Sequence, residues 1–163
     1  MLIRSKLQKY LSWMSVFLIL FSPFVFAKVE MNTQSVTGYW QTIDSKSKKP
    51  SSIIAIQPQH GFYIGKIVKT YDVPTEQKIF RCILCRDDRK NQPIIGLRII
   101  QNMACNATVC RGGTILDPRN GKIYKATMRL INNGTLLKVH GYVGVPLFGK
   151  TVIWRRVSKT QAQ

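Results

Sequence analysis

The sequence predicts an all-β fold: a single antiparallel up-and-down barrel of about eight strands. Three observations carry that expectation. Along residues 122–131, Tyr124, Ala126, Met128 and Leu130 share one face while Lys125, Thr127 and Arg129 take the other, a period of two. Asn120-Gly121 and Asn133-Gly134 supply the positive φ that tight hairpins want. Segments with helical period are almost absent. A meander of sequential strands leaves two raw edges unless it closes, and eight strands close around an interior able to hold side chains or one small ligand.

The first 27 residues read as an export signal. Arg4, Lys6 and Lys9 precede an uncharged run from Trp13 to Phe26, and Val25-Phe26-Ala27 ends on the small residue a signal peptidase needs. As a helix that run would span only about 21 Å, short of the roughly 30 Å hydrocarbon core. Cleavage after Ala27, a periplasmic or secreted location and no integral membrane segment are therefore expected. Residues 28–35 form a short lead-in, 36–158 the barrel domain and 159–163 a tail. Removing 27 of the 163 residues leaves 136, and losing three of 25 bases but none of seven acids lowers the formal charge from +18 to +15.

Within the barrel domain, strands are expected at 37–43, 52–57 and 61–70, the last after the turn Pro58-Gln59-His60-Gly61. Residues 71–93 are a long polar excursion holding Cys82, Cys85 and the self-neutralising surface run Asp87-Asp88-Arg89-Lys90. A strand at 94–101 follows, with Ile95, Leu97 and Ile99 inward and Arg98 outward. Strands at 114–117, 122–131, 135–143 and 148–157 complete the set.

Charge and cysteine content narrow the function classes. An exported chain meets little nucleic acid, so none is expected as a partner despite a pI near 10.2. No acid follows Asp117, whereas nine bases do. Among them Lys125, Arg129 and Lys138 make a basic stripe suited to anionic lipid, lipopolysaccharide or an acidic protein. Four cysteines in an oxidising compartment imply two disulfides, with three pairings open. The Cys82-x-x-Cys85 spacing lacks the helix a redox pair uses, and the looser Cys105/Cys110 spacing argues against structural zinc. His60 in a turn and His140 on a strand have no evident acid–base partner, and no helix follows Gly112-Gly113 to cradle a phosphate. Neither enzymatic activity, metal nor cofactor is expected.

The two ends of the domain carry a resemblance. Gly38-Tyr39-Trp40 opens the first strand and Trp154-Arg155-Arg156 lies on the last, so that Trp40 can close the barrel while Arg156 covers its ring. This is similar to the signature of lipocalins and their calycin relatives. Further pieces are Gly61-Phe62-Tyr63-Ile64-Gly65-Lys66-Ile67, Cys82-Ile83-Leu84-Cys85, Gly112-Gly113-Thr114-Ile115-Leu116-Asp117-Pro118, His140-Gly141-Tyr142-Val143-Gly144 and Phe148-Gly149-Lys150-Thr151. With them, the span from Gly38 to Val157 resembles the bacterial domain of unknown function 2147, a family of small exported proteins. The resemblance implies a fold, a compartment and a first cysteine pair that belongs to the family pattern; it implies no activity. The leading expectation is a binding module whose interior, lined by Tyr63, Ile67, Tyr124, Met128 and Leu130, takes a small apolar or amphipathic ligand. The alternative is an envelope-associated protein that docks through its basic outer face.

Overall fold

The computed structural model describes residues 35–44, 47–71 and 79–163. The expected export signal and nearly all of the lead-in lie outside the described residues. Eight antiparallel strands, each paired with its neighbours in sequence, close into a barrel when the last meets the first. They are β1 (Gly38–Ile43), β2 (Pro50–Gln59), β3 (Phe62–Thr70), β4 (Arg98–Asn106), β5 (Val109–Asp117), β6 (Lys122–Ile131), β7 (Leu136–Tyr142) and β8 (Gly149–Val157). The turns behave as their sequences require. His60-Gly61 and Asn132-Asn133-Gly134 all adopt positive φ, which Asn and Gly tolerate and which matches the strand twist of a tight hairpin.

Because hairpins alternate ends, the connections 44–49, 71–97, 118–121 and 143–148 gather at one end of the barrel. The short turns 60–61, 107–108 and 132–135 gather at the other, with the start of β1 and the end of β8. We call the first the loop end and the second the closed end.

Directly paired residues share a face of the sheet, so the register identifies the inside. Leu130, Leu137 and Trp154 form one cross-strand row, Met128, Val139 and Val152 a second, and Ala126, Gly141 and Lys150 a third. Trp40 pairs with Ile54, which pairs with Ile67. Apart from Gly141 and the exposed Lys150, these residues pack with Ile56, Ile100, Met103 and Cys110 in one buried cluster. A second, smaller cluster lies on the outer wall, where Ile53, Val157 and Ala162 meet. Ala162 belongs to α1 (Lys159–Ala162), a single turn capped by Ser158 and Gln161. The expected tail 159–163 is thus folded against the wall; four residues are too few for a helical period to show.

Two departures in the 71–101 region have physical causes. The expected strand 94–101 begins only at Arg98, because Gly96 at φ 89° turns the chain. Ile95 is consequently exposed, not inward, while Ile94 and Leu97 are buried as anchors. Nor is Arg89 part of a surface run. It is 2% exposed, forks onto the Asp87 carboxylate, and donates from Nη1 to the Arg98 carbonyl at 3.0 Å. Residues 79–97 therefore form a flap fastened to the β3–β6 side of the loop end, with Cys82, Cys85, Ile94 and Leu97 joining the main cluster. Both disulfides are local, Cys82–Cys85 and Cys105–Cys110. The second links directly paired residues of β4 and β5 across a two-residue turn.

The Arg89 fork holds the Asp87 carboxyl below its ordinary value, chiefly through the side-chain hydrogen bond. A depressed carboxylate pKa stabilises the fold above the unfolded value of about 3.9 and loses that contribution as pH falls through the folded value. Asp87→Asn is thus expected to destabilise the protein at pH 7, with the deficit shrinking as the pH of denaturant titrations is lowered through the folded value of Asp87. A deficit independent of pH would exclude the ion pair as its source.

Candidate ligand site and basic wall

At the closed end, the first and last strands build a seal. Trp40 is fully buried and its Nε1 donates to the Val36 carbonyl at 2.8 Å. The Arg156 guanidinium lies 4.2 Å from the centroid of that ring and donates to the carbonyls of Gly134, Thr37 and Ser35. Desolvation pulls Arg156 below the ordinary arginine value, yet a guanidinium stays charged at neutral pH. Gly38 explains itself here. A Cβ at this position would stand 2.9 Å from Arg156 Nη1, on a backbone at φ 130°. Gly38, Trp40 and Arg156 thus form one interlocked unit, with Trp154 buried above it.

Moving up the inside toward the loop end, burial relaxes. Ile67 and Met128 are fully packed and Leu130 nearly so. Tyr63 is half-buried against the cluster. Above the Met128–Val139 row Ala126 is still buried, and the inward positions beyond it form a half-buried collar. Tyr124 pairs with Ile115, and Gly141 packs beside both: a Cβ there would lie 3.5 Å from each. Across the barrel, Thr42 and Ser52 pair with their hydroxyls 2.8 Å apart. Lys150, beside Gly141, is exposed at the mouth. The collar therefore offers an apolar patch, a pair of hydroxyls and one cation over a closed floor, the chemistry of an amphipathic ligand site. Of the five expected lining residues, the structure places Tyr124 in this collar. It puts Ile67, Met128 and Leu130 in the floor and Tyr63 against it.

The outer wall of β5–β8 has a different character. Rows Thr127–His140–Thr151 and Arg129–Lys138–Ile153 point outward, and Lys125 pairs with Tyr142. A cavity of about 430 Å³ opens there, lined by Arg111, Arg129, Lys138, His140, Thr127 and Thr151, among others. An adjoining one of about 370 Å³ shares Arg111 and Val109. None of Arg111, Lys125, Arg129 or Lys138 has an acidic partner among the described residues. His140 is fixed, Nδ1 facing Thr151 Oγ1 at 2.9 Å and Nε2 the Pro146 carbonyl at 2.8 Å. A carbonyl only accepts, so Nε2 carries the proton. Arg111 escapes a period-two reading because Gly112, at φ 76°, marks an irregularity in β5 just beyond it.

No three His, Cys, Asp or Glu side chains gather to hold a metal ion among the described residues. No described helix is long and apolar enough to cross a membrane.

Against known proteins, residues 38–156 match the model of a family described as an uncharacterised protein conserved in bacteria, domain of unknown function 2147. The solved structure of HP1028 from Helicobacter pylori, described as belonging to the lipocalin family, superposes with a TM-score of 0.66. It covers 78% of this chain and 86% of its own at 19% identity, a likeness of fold. No curated protein matches the sequence.

Proposed function

From the premise that this chain belongs to the domain of unknown function 2147 family and folds as a lipocalin-like barrel, we propose that it is a non-enzymatic module that binds a small amphipathic ligand. The ligand enters at the loop end, its apolar part resting on Ile115 and Tyr124 and an anionic or polar head meeting Lys150 or the Thr42–Ser52 hydroxyls. One observation carries the reading: the inside is packed solid through Met128, Val139 and Ala126 and only half-buried at Ile115, Tyr124, Thr42 and Ser52 beyond, where Gly141 contributes no side chain. The two disulfides suit an oxidising, extracytoplasmic compartment, in keeping with the sequence features of export. Mass spectrometry of an organic extract of the purified protein tests this. A stoichiometric amphiphile supports it. A clean protein that also fails to take up added single-chain amphiphiles contradicts it.

A second reading rests on the acid-free lining of the wall cavity. Through Arg111, Arg129 and Lys138 the protein would dock on an anionic surface or partner. That reading predicts salt-sensitive binding which Arg111→Ala/Arg129→Ala/Lys138→Ala abolishes while amphiphile uptake persists.

A further inference from the structure

The exposed apolar side chains are not spread evenly over the barrel. Among the described residues, nearly all of the large ones that face solvent belong to the loop end. Ile83 and Leu84 stand at the tip of the flap and Ile95 at its return, while Val143, Leu147 and Phe148 occupy the β7–β8 connection. Leu147 is 84% and Phe148 73% exposed. Phe62 alone represents the closed end, and Ile153 lies on the wall. Scattered apolar residues need no explanation, but a concentration at one pole does.

The same pole carries Lys48, Lys49, Arg86, Lys90, Lys122 and Lys150, all exposed and none with an acidic partner among the described residues. The acids described there are already engaged: Asp87 with Arg89, Asp88 with Arg98, and Asp44 and Asp117 with Arg119. A bilayer yields to each tip individually, and its anionic headgroups complement the cations between them.

We infer that the loop end is a membrane-docking rim: the Val143–Phe148 loop and the flap tip enter the interface of an anionic bilayer, and the surrounding lysines and arginines hold its headgroups. The inference stands whether or not the collar takes a ligand, though it would set the mouth of the barrel against the membrane.

The test uses the naturally processed protein and vesicles of phosphatidylcholine with or without about 30% phosphatidylglycerol. A Leu147→Trp reporter should shift its emission to the blue on the anionic vesicles and be quenched by lipids brominated near the headgroup. Leu147→Ser/Phe148→Ser, at positions too exposed to disturb folding, should weaken partitioning by roughly tenfold or more. Partitioning should also fall as salt is raised. An unshifted Leu147→Trp emission, or a double variant within about twofold of the parent, overturns the inference. So does binding that Arg111→Ala/Lys138→Ala removes and the rim variant leaves intact, since the wall would then be the membrane face.

Discussion

Trp40→Ala is expected to cost about 3–5 kcal/mol, the range for truncating a fully buried tryptophan. The ring is wholly shielded from solvent and its loss opens a void among Ile54, Trp154 and Val36. Two further losses follow. Arg156 forfeits a cation–π contact of roughly 0.5–2 kcal/mol, and the Val36 carbonyl loses its donor. For a domain of this size the melting temperature should fall by more than about 10 °C. Trp40→Phe, which keeps most of the packing but not the indole N–H, should cost clearly less. Calorimetry of the two variants checks the order, and a loss below about 1 kcal/mol for the alanine variant would mean the seal at the closed end is not what holds the barrel shut.

Gly121→Ala is expected to be the second most damaging change, although it adds one methyl group to a turn. Gly121 sits at φ 68°, where an L-residue pays about 1–2 kcal/mol, and the added Cβ would fall inside the van der Waals shell of the Leu84 carbonyl oxygen. That obstacle is backbone and cannot rotate away. The flap must lift, which exposes Cys82 and Cys85 and strains the Arg89 bond to the Arg98 carbonyl. Hydrogen exchange should therefore accelerate selectively at amides such as those of Cys82, Asn91 and Ile94, whose bonds hold the flap together, while the β6–β7 ladder stays protected. Uniform acceleration across the barrel would show that the flap and the barrel unfold as one unit.

Much of this architecture was legible from residue pattern. β6 shows its two faces because every second residue is apolar, and the Asn-Gly turns fix its partners on either side. The signature pair Gly38-x-Trp40 and Arg156 could be joined from opposite ends of the chain because each makes sense only with the other. What stayed hidden did so for local reasons. The apolar run Ile94–Leu97 has the composition of a strand, and only Gly96 at positive φ turns it into an anchor for the flap. Arg89 reads as one member of a charged surface run, and its burial depends on a distant partner, the Arg98 carbonyl. Val143 and Phe148 read as the end of one strand and the start of the next, so their exposure appears only once β7 stops at Tyr142 and β8 begins at Gly149. The collar is the least legible part. Thr42, Ser52 and Ile115 face inward by register, and Gly141 says nothing of space until its neighbours are placed.

The central claim is that the half-buried upper interior, not the basic wall, receives the ligand. Gly141→Leu tests it most directly. The position tolerates a Cβ, which would meet its neighbours at ordinary contact distance, and a leucine would set a bulky side chain against Ile115 and Tyr124. Titrating a fluorescent single-chain anionic amphiphile into the parent, Gly141→Leu and Arg111→Ala/Arg129→Ala/Lys138→Ala should give one site per chain in the parent, at least about tenfold weaker binding in Gly141→Leu, and little change in the wall variant. Undiminished binding by Gly141→Leu, with loss in the wall variant, would contradict the claim.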